Sequence, residues 1–244
     1  MVARGKESER QMAQLTNVPA TRDPTVQAAA AAHLSAADPV LARLVAAVGP
    51  PNLRHEPHLF TALVSAIVGQ QISVSAASAI RARLAARCGP DQPLTPEALL
   101  ALTHDDLRAI GLSRAKEAYV ADLAAKVASG AVDLATIDQL PDEAVIAELT
   151  RIKGIGRWTA EMFLIFSLGR PDVLPVDDLG FRSRVRRHYQ LAALPTAAEL
   201  RALGEPWRPY RTFGTWYLWR SGAVEPLVGS EDVADASTSA ANDV

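Results

Sequence analysis

The chain is 244 residues long, 49% hydrophobic and 21% charged, ordinary for a globular protein and enough for a buried core in one large or two small domains. No stretch approaches the roughly eighteen consecutive apolar residues of a membrane span, and Met1 to Val18 is polar, without the apolar run of a signal peptide. The single cysteine, Cys88, excludes an internal disulfide framework, an all-cysteine iron–sulfur cluster and a zinc ribbon, and the expected compartment is the cytoplasm.

The net charge of −2 is unevenly spread. From Arg151 to Arg220 twelve Lys and Arg face six Asp and Glu, whereas Gly222 to Val244 holds five acids and no base. A basic surface on a slightly acidic chain is compatible with a polyanionic partner. Arg182, Arg184, Arg186 and Arg187 read equally well as part of that surface or as a solvated helix face.

In chain order, residues 1 to about 24 contain Pro19 and Pro24, show no apolar periodicity and are expected without persistent structure. The same holds for the Ser-, Thr-, Ala- and Asp-rich end, 230–244. Between them Ala and Leu dominate and no β-branched alternation is sustained, so the expected fold class is all-α. Phe60, Leu63, Val64 and Ile67 keep helical spacing. A helix over about 73–87 stops at Gly89 and Pro90, short ones follow at about 96–102 and 104–110, and one over about 114–129 ends at Gly130. The segment Leu107 to Lys116, with Gly111 inside it, is either a degenerate copy of the glycine turn described next or a plain helix–glycine–helix corner.

Pro141, Asp142 and Glu143 open a helix that stops near Ile152, with proline early and acids in the first turn. Lys153-Gly-Ile-Gly156 interrupts it, and Arg157 starts an apolar helix running to Leu168 before Gly169. Asp177 is placed to cap a helix from Asp178 to about Tyr189. The last helix runs from near Pro206 and Trp207 to Gly222. Gly154 and Gly156 allow positive φ and close approach of the backbone. The helix that follows presents free N–H groups and the positive end of its dipole, an anion site suited to a phosphate.

Leu149-Thr-Arg-Ile-Lys-Gly-Ile-Gly-Arg-Trp-Thr-Ala160 followed by Val173-Leu-Pro-Val-Asp-Asp-Leu179 resembles the hairpin, Gly/Pro-rich loop and aspartate of the helix-hairpin-helix DNA glycosylases. Ile67-Val-Gly-Gln-Gln-Ile-Ser-Val74, and Pro206-Trp-Arg-Pro-Tyr followed by Trp216-Tyr217, resemble two further blocks of the bacterial 3-methyladenine DNA glycosylase II group. The resemblance covers about residues 40 to 222. It implies a glycosylase core over 25–229 with its hairpin at 149–160, built as two helical subdomains with the active site in the cleft between them.

The family's aspartate is the second of the pair, which makes Asp178 the catalytic carboxylate and leaves Asp177 as the cap. Cleaving an N-glycosidic bond builds positive charge on the sugar, and a carboxylate near C1′ stabilises it and orients the attacking water. Trp158 stands where the glycosylase/lyases carry a Schiff-base lysine. The resemblance therefore implies a monofunctional enzyme that uses water and leaves an abasic site. The implied phosphate contacts are Lys153, Gly154, Gly156, Arg157 and Thr159. The flipped base would lie among Trp158, Trp216, Gln70 and Met162, with Gln71 intercalating in its place; Met162 departs from a tyrosine in a relative. No organic cofactor and no side-chain metal site is implied, at most a monovalent cation on the hairpin's backbone carbonyls. The implied partner is duplex DNA carrying damaged, chiefly alkylated, bases, bound by a monomer at the nucleoid. Rival readings are a mismatch or oxidised-base glycosylase of the same fold, and a non-catalytic hairpin module.

Overall fold

The computed structural model describes residues 20–89 and 93–223, and among these residues twelve α-helices and four short 3-10 turns occur and no strand. The expectations for residues 1–19 and for the acidic end lie outside the described residues. A 3-10 turn at Ala20–Arg22 leads in, with Thr21 buried and its N–H donated to the Gly169 carbonyl at 3.3 Å. Structure therefore begins within the segment expected to lack it. Pro24 opens a helix instead of breaking one: α1 (Pro24–Ala37) places it in the first turn, where its missing N–H is not needed, and Asp23 caps that turn by accepting from Thr25 N–H.

α2 (Pro39–Val48) repeats the device with Asp38. The middle of the chain forms α3 (Leu59–Gly69), α4 (Val74–Cys88), α5 (Pro96–Leu100), α6 (His104–Ile110), α7 (Arg114–Ala128), α8 (Asp142–Thr150) and α9 (Arg157–Phe166). The remainder forms α10 (Leu179–His188), α11 (Ala197–Gly204) and α12 (Arg211–Arg220). α1, α2 and α11 go beyond the helices read from the sequence; α1 is alanine-rich and buries Ala30 and Leu34 without an apolar stripe. α12 begins at Arg211 and not near Pro206, because Glu205–Trp207 forms a 3-10 turn and Pro209 has no N–H to continue a helix. Gly111, left-handed at φ 106°, ends α6, and Ser113 caps α7. Arg83 of α4 donates to the Ile110 carbonyl at 3.0 Å, so this segment is a corner closed against α4.

The helices pack as two groups. α3 packs on α4, α7 and α9, with α5 and α6 against α7 and α8 against α9; α1 and α2 pack on each other and on α12, and α10 packs on α12. One group is thus the middle of the chain and the other its two ends, over a continuous apolar core that includes Leu63, Ile67, Leu123, Leu149 and Leu164 from the first and Leu41, Phe181, Trp207 and Phe213 from the second. Asp38 knots the second group. Besides capping α2 it accepts from the Tyr189 hydroxyl at 2.5 Å and from Trp207 Nε1–H at 3.0 Å. Burial, and then the Asp38 carboxylate beside it, push the Tyr189 phenol well above its ordinary pKa.

Candidate active site

The hairpin turn between α8 and α9 is fastened from two sides. From α7, the Asp122 carboxylate accepts the Lys153 N–H at 2.9 Å, and Lys126 Nζ donates to that carboxylate at 2.6 Å and to the Arg151 carbonyl at 2.7 Å. From the end of α3, Gln70 Nε2 donates to the Gly154 carbonyl at 2.8 Å. Ile155 is buried and anchors the turn. Gly154 has φ 80°, and a Cβ there would overlap the Tyr119 ring, so this glycine is demanded by the fold itself.

Gly156 differs. Its φ is −95°, open to any residue, and a Cβ would meet nothing within 4 Å. The expectation that both glycines serve a positive φ is corrected here: only Gly154 does. Gly156 is the N-cap of α9 and offers no side-chain cap. The first-turn N–H groups of Arg157, Trp158 and Thr159 find no acceptor among the described residues, which leaves an uncompensated positive helix end beside the exposed Lys153.

Other members of the expected phosphate set are turned elsewhere. Arg157 pairs with Glu143 at 2.5 Å and with Glu161 at 3.0 Å, so its charge is already compensated. The Thr159 side chain is buried, leaving only its N–H for a ligand. Glu161 is 3% exposed and has one oxygen without a partner. Burial, opposed by Arg157 and reinforced by Asp177 and Glu143, pushes its pKa up to about 7. Arg182 donates to the Pro195 carbonyl at 3.0 Å, and Arg184 and Arg187 crowd the buried His188; that helix face is partly structural.

Asp178 is the N-cap of α10, accepting from Phe181 N–H on Oδ1 at 2.5 Å. The cap expected of Asp177 therefore belongs to its neighbour, and Asp177 is exposed at the surface. Capping does not use up the Asp178 carboxylate. Trp158, twenty residues earlier, donates its indole N–H to Oδ2 at 2.7 Å, and Trp219 donates to Oδ1 at 3.2 Å. Trp158 belongs to the middle group of helices and Trp219 to the terminal group, so the carboxylate sits at their junction. At 46% exposure the Trp158 ring is open to a planar ligand. Met162, half-buried, lies one turn further along α9, on the same side of the helix.

Two expected pocket members are placed differently. Gln70 spends its amide on the hairpin. Trp216 is 4% exposed, edge-on to Tyr217 at 5.1 Å, with its indole N–H unpartnered. It is Trp219, not singled out in the sequence, that reaches the carboxylate; its only signal there is a position three residues after Trp216, close to one helical turn. Gln71 is exposed in the turn after α3 and has a left-handed φ of 55°, a conformation that costs a non-glycine residue of order 1 kcal/mol or more. Among the described residues no group of three or more His, Cys, Asp or Glu is arranged to hold a metal, and no helix is long and apolar enough to cross a membrane.

The chain is similar in sequence and overall fold to known proteins. DNA-3-methyladenine glycosylase 1 of Schizosaccharomyces pombe is 37% identical over 196 residues, which span 79% of this chain and 86% of that protein. A solved structure of S. pombe 3-methyladenine DNA glycosylase in complex with abasic DNA superposes with a TM-score of 0.72 at 37% identity, covering 80% of this chain and 97% of that one. A DNA-3-methyladenine glycosidase from Bacillus halodurans gives a TM-score of 0.72 at 36% identity, over 84% and 91% of the two chains. The model of the HhH-GPD superfamily of base excision DNA repair proteins matches residues 64–209. With this family match and these relatives, and with its hairpin, capping aspartate and indole at the expected spacing, this chain belongs to the HhH-GPD superfamily.

Proposed function

We propose that this protein is a monofunctional DNA glycosylase that removes alkylated bases of the 3-methyladenine type from duplex DNA and leaves an abasic site. The observation that carries the reading is Asp178: a carboxylate held at a helix N-terminus, accepting the indole N–H of Trp158, whose ring is exposed beside it. An alkylated purine is cationic and electron-poor, stacks well on an indole and is a good leaving group. The carboxylate then offsets the positive charge growing on the deoxyribose and directs water to C1′. The N-terminus of α9 takes a backbone phosphate, which fixes register without reading sequence. Gln71, on its exposed turn, fills the gap left by the flipped nucleotide, and the reacting base enters between the two helix groups. The protein acts as a monomer.

Water rather than an amine is the nucleophile. Of the lysines among the described residues, Lys116 is bound to the Val68 carbonyl and Lys126 to Asp122, and the residue of α9 that meets the carboxylate is Trp158, which has no amine to attack C1′. The S. pombe and B. halodurans relatives, both named for 3-methyladenine, favour the alkylated over the oxidised base. The test is release of free base from methylated duplex, resolved by chromatography, beside duplexes carrying 8-oxoguanine or a mismatch. The expected result is 3-methyladenine in the supernatant, with no strand cleavage and no borohydride-trapped complex. Release from the oxidised or mismatched duplex alone, a trapped adduct, or binding without release would each replace this reading with a rival.

A further inference from the structure

The two oxygens of Asp178 have different surroundings. Oδ1 accepts from Phe181 N–H and from Trp219 Nε1–H, and a Cβ added at Gly180 would lie only 3.2 Å from it. Oδ2 accepts a single hydrogen bond, from the exposed Trp158. A carboxylate oxygen has room for about two such bonds, so Oδ1 is filled and Oδ2 keeps an acceptor position.

Trp219 is itself rigidly held. Its half-buried ring stacks on Phe166 at the end of α9, with centroids 5.9 Å apart and planes 24° from parallel. Two turns earlier on α12, Arg211 donates to the Asp172 carboxylate at 2.7 Å, and Thr212 both donates to the Arg170 carbonyl at 2.7 Å and accepts from Val173 N–H at 2.9 Å. One helix therefore grips the loop leading to Asp178 at its start and the Asp178 carboxylate at its end.

We infer that Trp219 is a positioning residue for base excision. Its indole N–H, with the Phe181 amide and the missing Cβ of Gly180, anchors Oδ1 and turns Oδ2 toward the sugar and the attacking water. The inference rests on the glycosylase reading above. Trp158 cannot fill this part, because its ring is exposed at the mouth of the site and is the surface on which the base stacks. Misplacing a reacting group by an ångström costs about a hundredfold in rate, so a loosened carboxylate reads out in catalysis and not in affinity.

The experiment measures single-turnover excision from methylated duplex, affinity for duplex with a stable abasic analogue, and thermal unfolding, on the full chain. Trp219→Phe keeps the ring stack and removes the donor. It is expected to lower the excision rate about tenfold or more, with affinity and melting near the parent's, and Trp219→His, which restores a ring N–H, recovers part of the loss. Gly180→Ala keeps the indole and presses Oδ1 from the other side. It is expected to lower the rate while melting holds or rises, since Ala favours helix over Gly; this combination is one that a merely structural role does not produce. Should Trp219→Phe unfold, Gly180→Ala decides. Full excision rates in the folded variants overturn the inference. A parent that releases no base overturns the glycosylase reading instead.

Discussion

At the scale of single residues, Asp178 combines two roles that a sequence reader would assign to two neighbours. As a cap it satisfies the Phe181 N–H; as a charged acceptor it gathers two indoles. Asp178→Asn keeps shape and the capping oxygen but removes the charge. Excision is expected to fall by about a hundredfold or more while affinity for undamaged duplex changes little, as measured by single-turnover assay and titration. The hairpin glycines separate just as sharply. Gly154→Ala forces a side chain into a left-handed conformation against Tyr119 and should cost about 3 kcal/mol in urea unfolding. At Gly156 an added Cβ meets no protein atom within 4 Å and φ is open to any residue, so Gly156→Val should unfold within about 1 kcal/mol of the parent. It should nonetheless bind damaged and undamaged duplex alike about tenfold or more weaker, because the lost contact is to a phosphate. Unchanged binding by folded Gly156→Val would reduce the turn to a corner.

At the scale of elements, the site depends on how helix ends are fastened. Asp-Pro pairs start α1 and α2, and Asp38 then serves as the common acceptor for the α2 cap, the Tyr189 hydroxyl after α10 and the Trp207 indole before α12. Removing it leaves a helix uncapped and two donors short of a partner, one of them the fully buried indole of Trp207. Asp38→Ala is accordingly expected to cost about 3 kcal/mol of stability, seen as a lowered urea midpoint. Excision per folded molecule should stay near the parent's value, since Asp38 lies outside the site. A variant that keeps its midpoint would show that the knot contributes little.

Across the whole molecule, two buried titrating groups set opposing pH dependences. Burial, with Arg187, Arg184 and Arg43 nearby, pushes the His188 pKa down to about 4. The unfolded chain then takes up a proton below about 6.5 that the folded one refuses, so this group's contribution is complete above about 6.5 and falls as pH drops toward 4. Glu161, pushed up to about 7, does the reverse. The folded state holds a proton that the unfolded chain releases near its ordinary value of 4.5, so stability is lost as pH rises from there through about 7. Between about 5 and 6.5 the two slopes, each at most about 1.4 kcal/mol per pH unit, nearly cancel. Glu161→Gln should therefore unmask a stability that climbs with pH across this window, and His188→Phe one that declines. Equal, flat profiles for both variants in urea titrations at pH 5, 6 and 7 would refute the pairing.

Composition and spacing by themselves determined the helical class, the glycine hairpin, the twenty-residue step from Trp158 to an aspartate, and the membership of the family, because each of these is local or is carried by ordered blocks of residues. α1 escaped because an alanine run carries no apolar stripe, and the start of α12 because two prolines lie close together. Which aspartate caps, and which tryptophan meets it, were decided only by the fold. Both depend on how α9, α10 and α12 approach one another, and Trp216 and Trp219, three residues apart, are sorted into core and site by the rotation of α12 against Asp178. The same holds for Gln70 and Arg157, whose side chains were read as open to a ligand and are bound instead to the Gly154 carbonyl, from a segment 84 residues away, and to Glu143. A sequence lists donors and acceptors; only packing in three dimensions determines which of them are already paired.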